Sequence, residues 1–452
     1  MNKKTFHIVS LGCAKNTVDS DSMAQLLVNS GYERVTDPCR AFVLIVNTCG
    51  FIDAAKKESF DVLAKLAGKK KSGQVLVAAG CLTQRYGAEV AQKVPGIDGI
   101  IGTRRWMDIV EVVENLRRTE PHYHLPEAST VGVDERGALR VSVQGASAYL
   151  KIADGCRRPC AFCAIPLIKG TTVSRPIESI LSEALFLQEK GVREIILIAQ
   201  DTTDYGYDLG LKNGLAHLLT KLTAAVPRVN WLRVMYAYPG YVTDELIEVM
   251  ANRKQMVHYL DIPLQHAHPR VLRRMRRPTN IDWVRKTVGK MRHAIRDLAL
   301  RTTFIVGYPG ETEEEFQSLL DFVEEIRFDK VGVFKFSFEA GTAGESLGDP
   351  VPSEVKEERL KCLMEKQQQI SLERNRTFLG RKLDVLIEGL GEGISVGRSY
   401  RDAPEIDGLV LVKGELPVGQ IIPVRIDEAM VYDLKGIPAH TSNKSKHLAG
   451  GR

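Results

Sequence analysis

The sequence predicts an α/β protein in three parts: an N-terminal parallel-sheet α/β domain, a partial (βα)6 barrel and a small C-terminal antiparallel β-barrel. Three observations carry this. Strand-like and helix-like stretches alternate through the first 125 residues. Six further strand candidates, most of them separated by helical stretches, run from Ala148 to Ser337. From Arg376 the pattern changes to short strands broken by glycine turns. A chain of 452 residues has room for about two to four such domains.

In the first part, Phe6–Leu11 reads as a strand. Val18–Asn29 has helical spacing, with Asn16 or Thr17 as cap and Gly31 as stop. Phe42–Asn47 is a continuous apolar run, as expected of a parallel strand covered on both faces. Asp53–Leu66 is helical, Gln74–Ala79 is another buried strand, and Thr83–Val94 is helical. Cys13, Cys49 and Cys81, separated by 36 and 32 residues, each fall just past the carboxyl end of one of these strands. In an open parallel sheet that rim is where ligands bind. A single cysteine at a strand end is usually a small buried hydrophobe. Three in register suggest thiolates converging on one [4Fe–4S] cluster. Cys39 and Cys362 fit no such group and are expected to be a loop thiol and a helix thiol.

Residues 121–140 hold Pro121, Pro126, Gly132 and Gly137 among polar residues and suggest a linker, with its bounds drawn at 126–141. The barrel strands expected next are Ala148–Ile152, Glu194–Ala199, Trp231–Tyr236, His258–Ile262, Thr302–Val306 and Val331–Phe336, with helices such as Pro176–Lys190 and Ile281–Leu298 between them. In such barrels chemistry lies in the loops after the strands. The loop after the first strand contains Cys156, Cys160 and Cys163, spaced C-x3-C-x2-C. A protein [4Fe–4S] cluster normally takes four cysteines, one per iron. No fourth follows nearby, which leaves one iron open to an exogenous molecule. Zinc, the competing metal, wants a fourth Cys or His at short spacing, and His122, His124 and His217 are distant.

Other strand ends are polar or glycine-rich: Gln200-Asp201, Pro263-Leu264-Gln265-His266 and Gly307-Tyr308-Pro309-Gly310. Taken alone, the glycines fit turns, Asp201 fits a cap, and His266 fits a structural hydrogen-bonding residue. The basic run Arg270–Arg277 suits either an anionic partner or a solvated helix face, and Lys69-Lys70-Lys71 a solvated loop. The helix Ser353–Asn375 leads to the last barrel, whose strands are Leu383–Glu388, Ile394–Arg398, Gly408–Lys413 and Ile421–Ile426. The polar tail Thr441–Arg452 is expected to be disordered. The resulting parts are 1–125, the linker 126–141, 142–375, 376–442 and a tail 443–452.

A hydrophobic content of 44% and a charged content of 26% are those of a soluble globular chain, and no apolar run reaches membrane-spanning length. Met1-Asn-Lys-Lys leads into a strand rather than a secretory core, so a cytoplasmic protein is expected. There, eight cysteines read as metal ligands rather than disulfides. The net charge of +6 is too mild to imply nucleic-acid binding.

The C-x3-C-x2-C spacing, with Phe162 just before the third cysteine, resembles the signature of the radical S-adenosylmethionine (SAM) superfamily. The resemblance implies that SAM chelates the open iron and is cleaved to a 5′-deoxyadenosyl radical. It also implies that loops carrying Phe162, Gln200, Asp201, Gln265, Gly307 and Gly310 hold SAM. Adding Cys13, Cys49, Cys81 and the final barrel, nearly the whole chain is similar to the radical SAM methylthiotransferases, whose last domain is called TRAM. That likeness implies two [4Fe–4S] clusters, one making the radical and one supplying sulfur. A second SAM would give the methyl group, and a flavodoxin or ferredoxin would supply electrons.

Two branches of that family compete, one modifying a tRNA adenosine and the other the β-carbon of an aspartate in ribosomal protein S-twelve, free or on the small subunit. The stretches Ser10–Ser20 and Gly397–Gly408 resemble the second. Between Arg376 and His440 there are eight Lys or Arg against ten Asp or Glu, a net of −2. An RNA-binding barrel should be basic. Asp402, Glu405 and Asp407 would instead suit a basic protein partner. A reading of another class is a non-catalytic iron–sulfur redox or sensor protein. The missing fourth cysteine at each site argues against it.

Overall fold

The computed structural model describes residues 4–116, 122–125 and 135–439. Two compact units emerge, one ending at Gln367 and one beginning at Gln368. The first opens with β1 (Thr5–Ser10), α1 (Ala14–Asn29), β2 (Glu33–Arg34), β3 (Val43–Thr48), α2 (Asp53–Lys69), β4 (Val75–Gly80), α3 (Cys81–Lys93), β5 (Gly99–Gly102), α4 (Ile109–Asn115) and β6 (His122–His124). The sheet is parallel, in the order β2-β1-β3-β4-β5-β6. Every residue of β3 is buried. Val43 and Ile45 join a core with Met23, Leu27 and Val112, while Leu44 and Val46 join Leu63, Leu82 and Val90 on the other face. Both faces are covered, which is why the strand reads as an unbroken apolar run.

Two details differ from the sequence reading. Helix α1 begins four residues before Val18, with Cys13 at the cap position and Asn16 inside the helix. The Asn16 amide donates across to the carbonyls of Leu11 and Thr48, both at 3.0 Å, instead of capping its own helix. His122–His124, placed within the linker stretch by its prolines, pairs with β5 as the sheet's last strand. Residues 126–134 of the expected linker lie outside the described residues.

The barrel begins with the hairpin β7 (Val141–Gln144) and β8 (Ser147–Lys151), followed by a two-residue pair, β9 (Ala153–Asp154) with β10 (Val173–Ser174). Between them lies α5 (Ile165–Lys169). Then come α6 (Ile177–Glu189), β11 (Glu194–Ile198), α7 (Gly214–Ala225), β12 (Trp231–Val234), α8 (Asp244–Asn252) and β13 (Met256–Asp261). The remainder is α9 (Pro269–Arg274), α10 (Ile281–Ala294), β14 (Ala299–Val306), α11 (Glu313–Ile326), β15 (Lys330–Lys335) and α12 (Ser353–Arg376). Strands β8, β11, β12, β13, β14 and β15 run parallel in chain order, the six βα units expected. The antiparallel edge strand β7 is an addition. Among the described residues no helix is long and apolar enough to cross a membrane.

The second unit is a closed five-stranded barrel, β16 (Lys382–Gly391), β17 (Ile394–Ser399), β18 (Val410–Lys413), β19 (Ile421–Ala429) and β20 (Leu434–Pro438), in the order β16-β17-β18-β20-β19. Closure comes from β20, a strand the sequence reading lacked, and the β18–β20 pair runs parallel. Val385, Ile387, Val410, Val412, Val424 and Ile426 fill the interior. The three acids expected on its surface separate. Asp402 is 3% exposed and accepts a 2.8 Å hydrogen bond from Ser399 Oγ. Asp407, half-buried, accepts from the Ala403 amide at 2.9 Å. Glu405 is exposed, with a left-handed backbone at φ 68°. In this Gly- and Pro-containing loop the short acids satisfy local donors instead of facing solvent.

Candidate functional site

The loop carrying Cys156, Cys160 and Cys163 leaves the barrel just after β9 and is pinned at several points. The Cys156 amide donates to Gly170 O at 3.0 Å, Ala161 N to Met275 O at 2.9 Å, and Gly344 N to Ala161 O at 2.7 Å. All three thiols are partly buried. Burial pushes Cys156 up to about 11 and Cys163 up to about 12, and the neighbouring cysteines add to the shift. Cys160 Sγ lies 3.5 Å from Arg277 Nη1 and 3.7 Å from the Tyr238 hydroxyl. The Arg277 guanidinium stacks 4.2 Å over the Tyr238 ring, and Arg158 lies 4.5 Å from the same ring. Arg277 ends the basic run but is only 8% exposed. Its neighbour in that run, Arg274, pairs with Glu315 at 2.6 Å. Arg277 and Arg274 of the run are thus drawn into the fold, while Arg270, Arg273 and Arg276 are exposed.

The second triad is assembled from three strand ends. Cys13 caps α1 after β1, Cys49 follows β3, and Cys81 opens α3 after β4. Their loops touch: a Cβ on Gly12 would sit 2.8 Å from Cys49 Cβ, and one on Gly50 would sit 2.7 Å from Leu82 Cα. Only glycine permits backbones this close. Asn16, already bonded to the β1 and β3 exits, brings its Oδ1 within 3.5 Å of Cys81 Sγ. Ser59 Oγ bonds both the amide and the carbonyl of Cys49 at 3.0 Å. Burial pushes Cys81 up to about 12 and Cys49 upward; the nearby Cys13 adds to both shifts and Cys49 to that of Cys81. Among the described residues no three His, Cys, Asp or Glu side chains converge on a single-ion site. A cluster takes one cysteine per iron and so wants its thiolates spread. Cys39 and Cys362 are exposed, one in the turn Pro38–Arg40 and one in α12.

The second triad touches the segment that follows the first. Cys81 packs against Ala164 and Ile168, and Ala164 is the residue after Cys163. Lys15, two residues past Cys13, places its ammonium 3.1 Å from the centroid of Tyr236, two residues before the Tyr238 that touches Cys160. A buried ionic network locks this docking. Asp19 of α1 pairs with Lys151 at 2.7 Å and Lys169 at 2.8 Å, and also with Arg140. Asp154 pairs with Lys151 at 2.6 Å. Glu135 joins Arg140 to Arg175, which is held by Glu183 at 2.6 Å. Glu339, 4% exposed, takes Arg85 and Lys56 from the other domain. Lys15 and Asp19 fall in the family-like stretch Ser10–Ser20, which assigns them no role, and nothing in the sequence pattern marks Lys169, Tyr236 or Tyr238 as site residues. A lysine directly after a cysteine loop and tyrosines at a strand exit were the available signals.

The residues expected to hold SAM fall into two kinds. Gln200 and Gln265 each present a buried Oε1 with no hydrogen-bond partner. Gln265 also has φ 75° at the exit of β13, where non-glycine residues are uncommon. Orphaned acceptors at a strand rim fit a ligand bearing amino and hydroxyl donors. Asp201 is occupied: it accepts from Arg158 Nε at 2.7 Å and from the Thr203 amide at 2.9 Å, as a cap. Phe162 packs on Val271, Met275, Tyr308 and Phe336. Gly307 and Gly310 both have positive φ, and the Gly307 amide donates to Glu311. Glu311 is held in turn by His266 at 3.0 Å, the structural role expected of that histidine. Lys70, expected to be merely solvated, bonds Asp98 at 2.6 Å.

Family models match three stretches: the radical SAM superfamily over residues 150–323, the uncharacterized protein family UPF0004 over 5–102, and the TRAM domain over 379–438. A protein of Roseiflexus sp. (strain RS-1) named ribosomal protein uS12 methylthiotransferase RimO is 47% identical, covering 95% of this chain and 96% of its own. One of the same name from Chloroflexus aurantiacus is 48% identical, covering 95% and 99%. Among solved structures, the radical SAM methyltransferase TsrM of Kitasatospora setae, with cobalamin and a [4Fe-4S] cluster bound, aligns with a TM-score of 0.56 at 12% identity, over 76% of this chain and 77% of that one. That likeness is one of fold.

Proposed function

Since this chain belongs to the ribosomal protein uS12 methylthiotransferase family, a radical SAM transferase family, we propose that it methylthiolates the β-carbon of an aspartate in that ribosomal protein. The observation that carries the reading is that Cys81 of one triad packs against Ala164, the residue next to Cys163 of the other. A site that both abstracts hydrogen and delivers sulfur needs its two centres across one crevice. A redox relay or sensor needs no such shared space between two open irons.

Cys156, Cys160 and Cys163 hold one [4Fe–4S] cluster and Cys13, Cys49 and Cys81 the other, with SAM serving as radical source and methyl donor. When bound, these groups supply the electron, the carbon radical, the sulfur and the methyl group. The chain's own residues set their surroundings. Arg277 and Tyr238 direct donors at the Cys160 sulfur, and hydrogen bonds to cluster sulfurs tune reduction potential. Burial keeps the Tyr238 phenol protonated and so able to donate. Gln200 and Gln265 accept from SAM, while Gly307 and Gly310 shape the turn beside it. Lys169 offsets negative charge at Cys81. The electron donor is a small reductant such as flavodoxin or ferredoxin, in the cytoplasm, and Glu405 contributes to docking the basic substrate.

Mass spectrometry of uS12 from cells lacking this protein tests the reading. The expected result is loss of one methylthio group from an aspartate, restored by the wild-type gene and not by a Cys160→Ser copy. An unchanged uS12 with an altered tRNA adenosine would move the chain to the other branch.

A further inference from the structure

Resting on the aspartate reading above, we propose that the Lys15 ammonium binds the side-chain carboxylate of the substrate aspartate. Three observations converge on it. The first is position. Lys15 stands in the first turn of α1, two residues past Cys13, and its Nζ lies 3.1 Å from the Tyr236 ring centroid. Tyr238, whose hydroxyl is 3.7 Å from Cys160 Sγ, follows two residues later. Two residues of chain span at most about 7.6 Å between Cα atoms. The ammonium therefore lies beside Cys13 and against the strand exit that carries Tyr238 to Cys160.

The second is charge. The network beside it is balanced without it: Asp19, Asp154, Glu135 and Glu183 face Arg140, Lys151, Lys169 and Arg175. Asp261, another nearby carboxylate, pairs with Arg301 at 3.0 Å. Among the described residues the Lys15 ammonium has no hydrogen-bond or ion-pair partner; its contact is the Tyr236 ring. Asp261 and Asp154 act on this ammonium from a distance but neither bonds it, so a cation resting on an aromatic face is open to an anion that can.

The third is backbone strain. Tyr236 adopts φ 63°, an uncommon conformation for a bulky residue, and it is this turn at the exit of β12 that carries the ring under Lys15. A carboxylate entering between two thiolate-rich sites meets like charge, and one fixed cation reverses that local repulsion. The aspartate Cβ is one bond from its carboxyl carbon, so anchoring the carboxylate also places the carbon that is modified. Lysine's compact ammonium, with three donors, suits a carboxylate approached from a single direction.

The test compares binding of uS12 with that of uS12 carrying Asn at the modified aspartate, using reconstituted full-length protein. Wild type should prefer the aspartate form by about tenfold or more, the range for a hydrogen bond to a charged group. Lys15→Met should shrink that preference to within about twofold, by weakening the aspartate form alone, and Lys15→Arg should restore most of it. Should Lys15→Met melt early, Lys15→Gln gives the same comparison. A Lys15→Met or Lys15→Gln protein that still discriminates tenfold overturns the proposal, as does a wild type that does not discriminate. If wild type leaves uS12 unmodified altogether, it is the proposed function that fails.

Discussion

Cys156, Cys160 and Cys163 sit on one eight-residue loop, whereas Cys13, Cys49 and Cys81 arrive from three strand ends scattered over 69 residues of sequence. The loop triad is held by a handful of backbone bonds and by side chains reaching in from elsewhere, Arg277 and Tyr238 among them. The scattered triad is held by sheet register: Ser10 opposite Asn47 and Thr48 opposite Gly80. One is adjusted contact by contact, while the other moves only if the sheet slips. A centre whose potential is tuned through hydrogen bonds suits the first construction. One that must keep a fixed place opposite its partner suits the second.

The largest effect separates the two outright. Replacing Cys156, Cys160 or Cys163 by Ser should abolish 5′-deoxyadenosine formation. Replacing Cys13, Cys49 and Cys81 together should leave about half the iron, one cluster of two. SAM cleavage should persist in that variant and methylthiolation should be lost. Iron and deoxyadenosine assays on the two variants decide it, and equal losses of SAM cleavage in both would remove the distinction.

Next comes the lock between the triads. Asp19 is buried among Lys151, Lys169 and Arg140. Burial alone would raise its carboxyl pKa, but these cations outweigh burial and hold it well below the usual range. Asp19→Asn leaves buried cations underpaired, which should cost about 3–5 kcal/mol in denaturant unfolding of the first unit. A depressed carboxyl stabilises above its unfolded value of about 3.9 and stops doing so as pH falls through its folded value. Burial alone would lower the Lys169 pKa, but Asp154 and Asp19 outweigh burial and raise it. Its contribution is therefore present below the unfolded value of about 10.4 and lost only at higher pH. The gap between wild type and Asp19→Asn should thus be flat near neutrality and narrow as pH drops below about 4.

Legibility followed the same division. The loop triad could be seen in eight letters, and the scattered one through its repeated place after buried apolar runs. All six barrel strands were recoverable as short apolar runs between helical stretches, most of them buried, although β15 is largely half-buried or exposed. What the sequence hid depends on contacts between distant segments. Arg140 and Lys151 look like solvated charges until helix α1 brings Asp19 onto them. Arg277 looks like part of a basic face until the turn after α9 folds it beneath Cys160. Strand β20 was missed because Gly436 and Pro438 interrupt a five-residue run whose pairing comes from barrel closure. The burial of Asp402 was not legible, because composition cannot tell a solvated acid from one accepting a neighbour's hydroxyl.

A smaller effect probes the scattered construction without touching a cysteine. Gly80 has φ 103°, and a Cβ there would come within 2.8 Å of Thr48 N. Gly80→Ala should cost about 1–3 kcal/mol by forcing an alanine into that backbone region. Because Gly80 precedes Cys81, iron should fall toward the loop triad's share while SAM cleavage survives. Full iron content in Gly80→Ala would mean that the second triad adjusts as freely as the first.

The smallest effect concerns the second unit's acids, where burial sorts residues that composition had grouped. Glu405 is exposed, so its pairing with a basic substrate is worth about 0.2–1 kcal/mol and is screened by salt. Glu405→Lys should therefore weaken uS12 binding by no more than about fivefold at low salt, with the difference fading at high salt. Asp402 behaves differently: it is buried, it accepts from Ser399 Oγ, and its carbonyl accepts from Arg398 Nη1 at 2.9 Å. Asp402→Ala would strand the Ser399 hydroxyl and open the loop, at about 1–3 kcal/mol of barrel stability. Salt is the discriminating variable. A Glu405→Lys loss that persists at high salt would make this residue part of a desolvated contact. An Asp402→Ala loss of binding with the barrel's melting unchanged would return Asp402 to the interface.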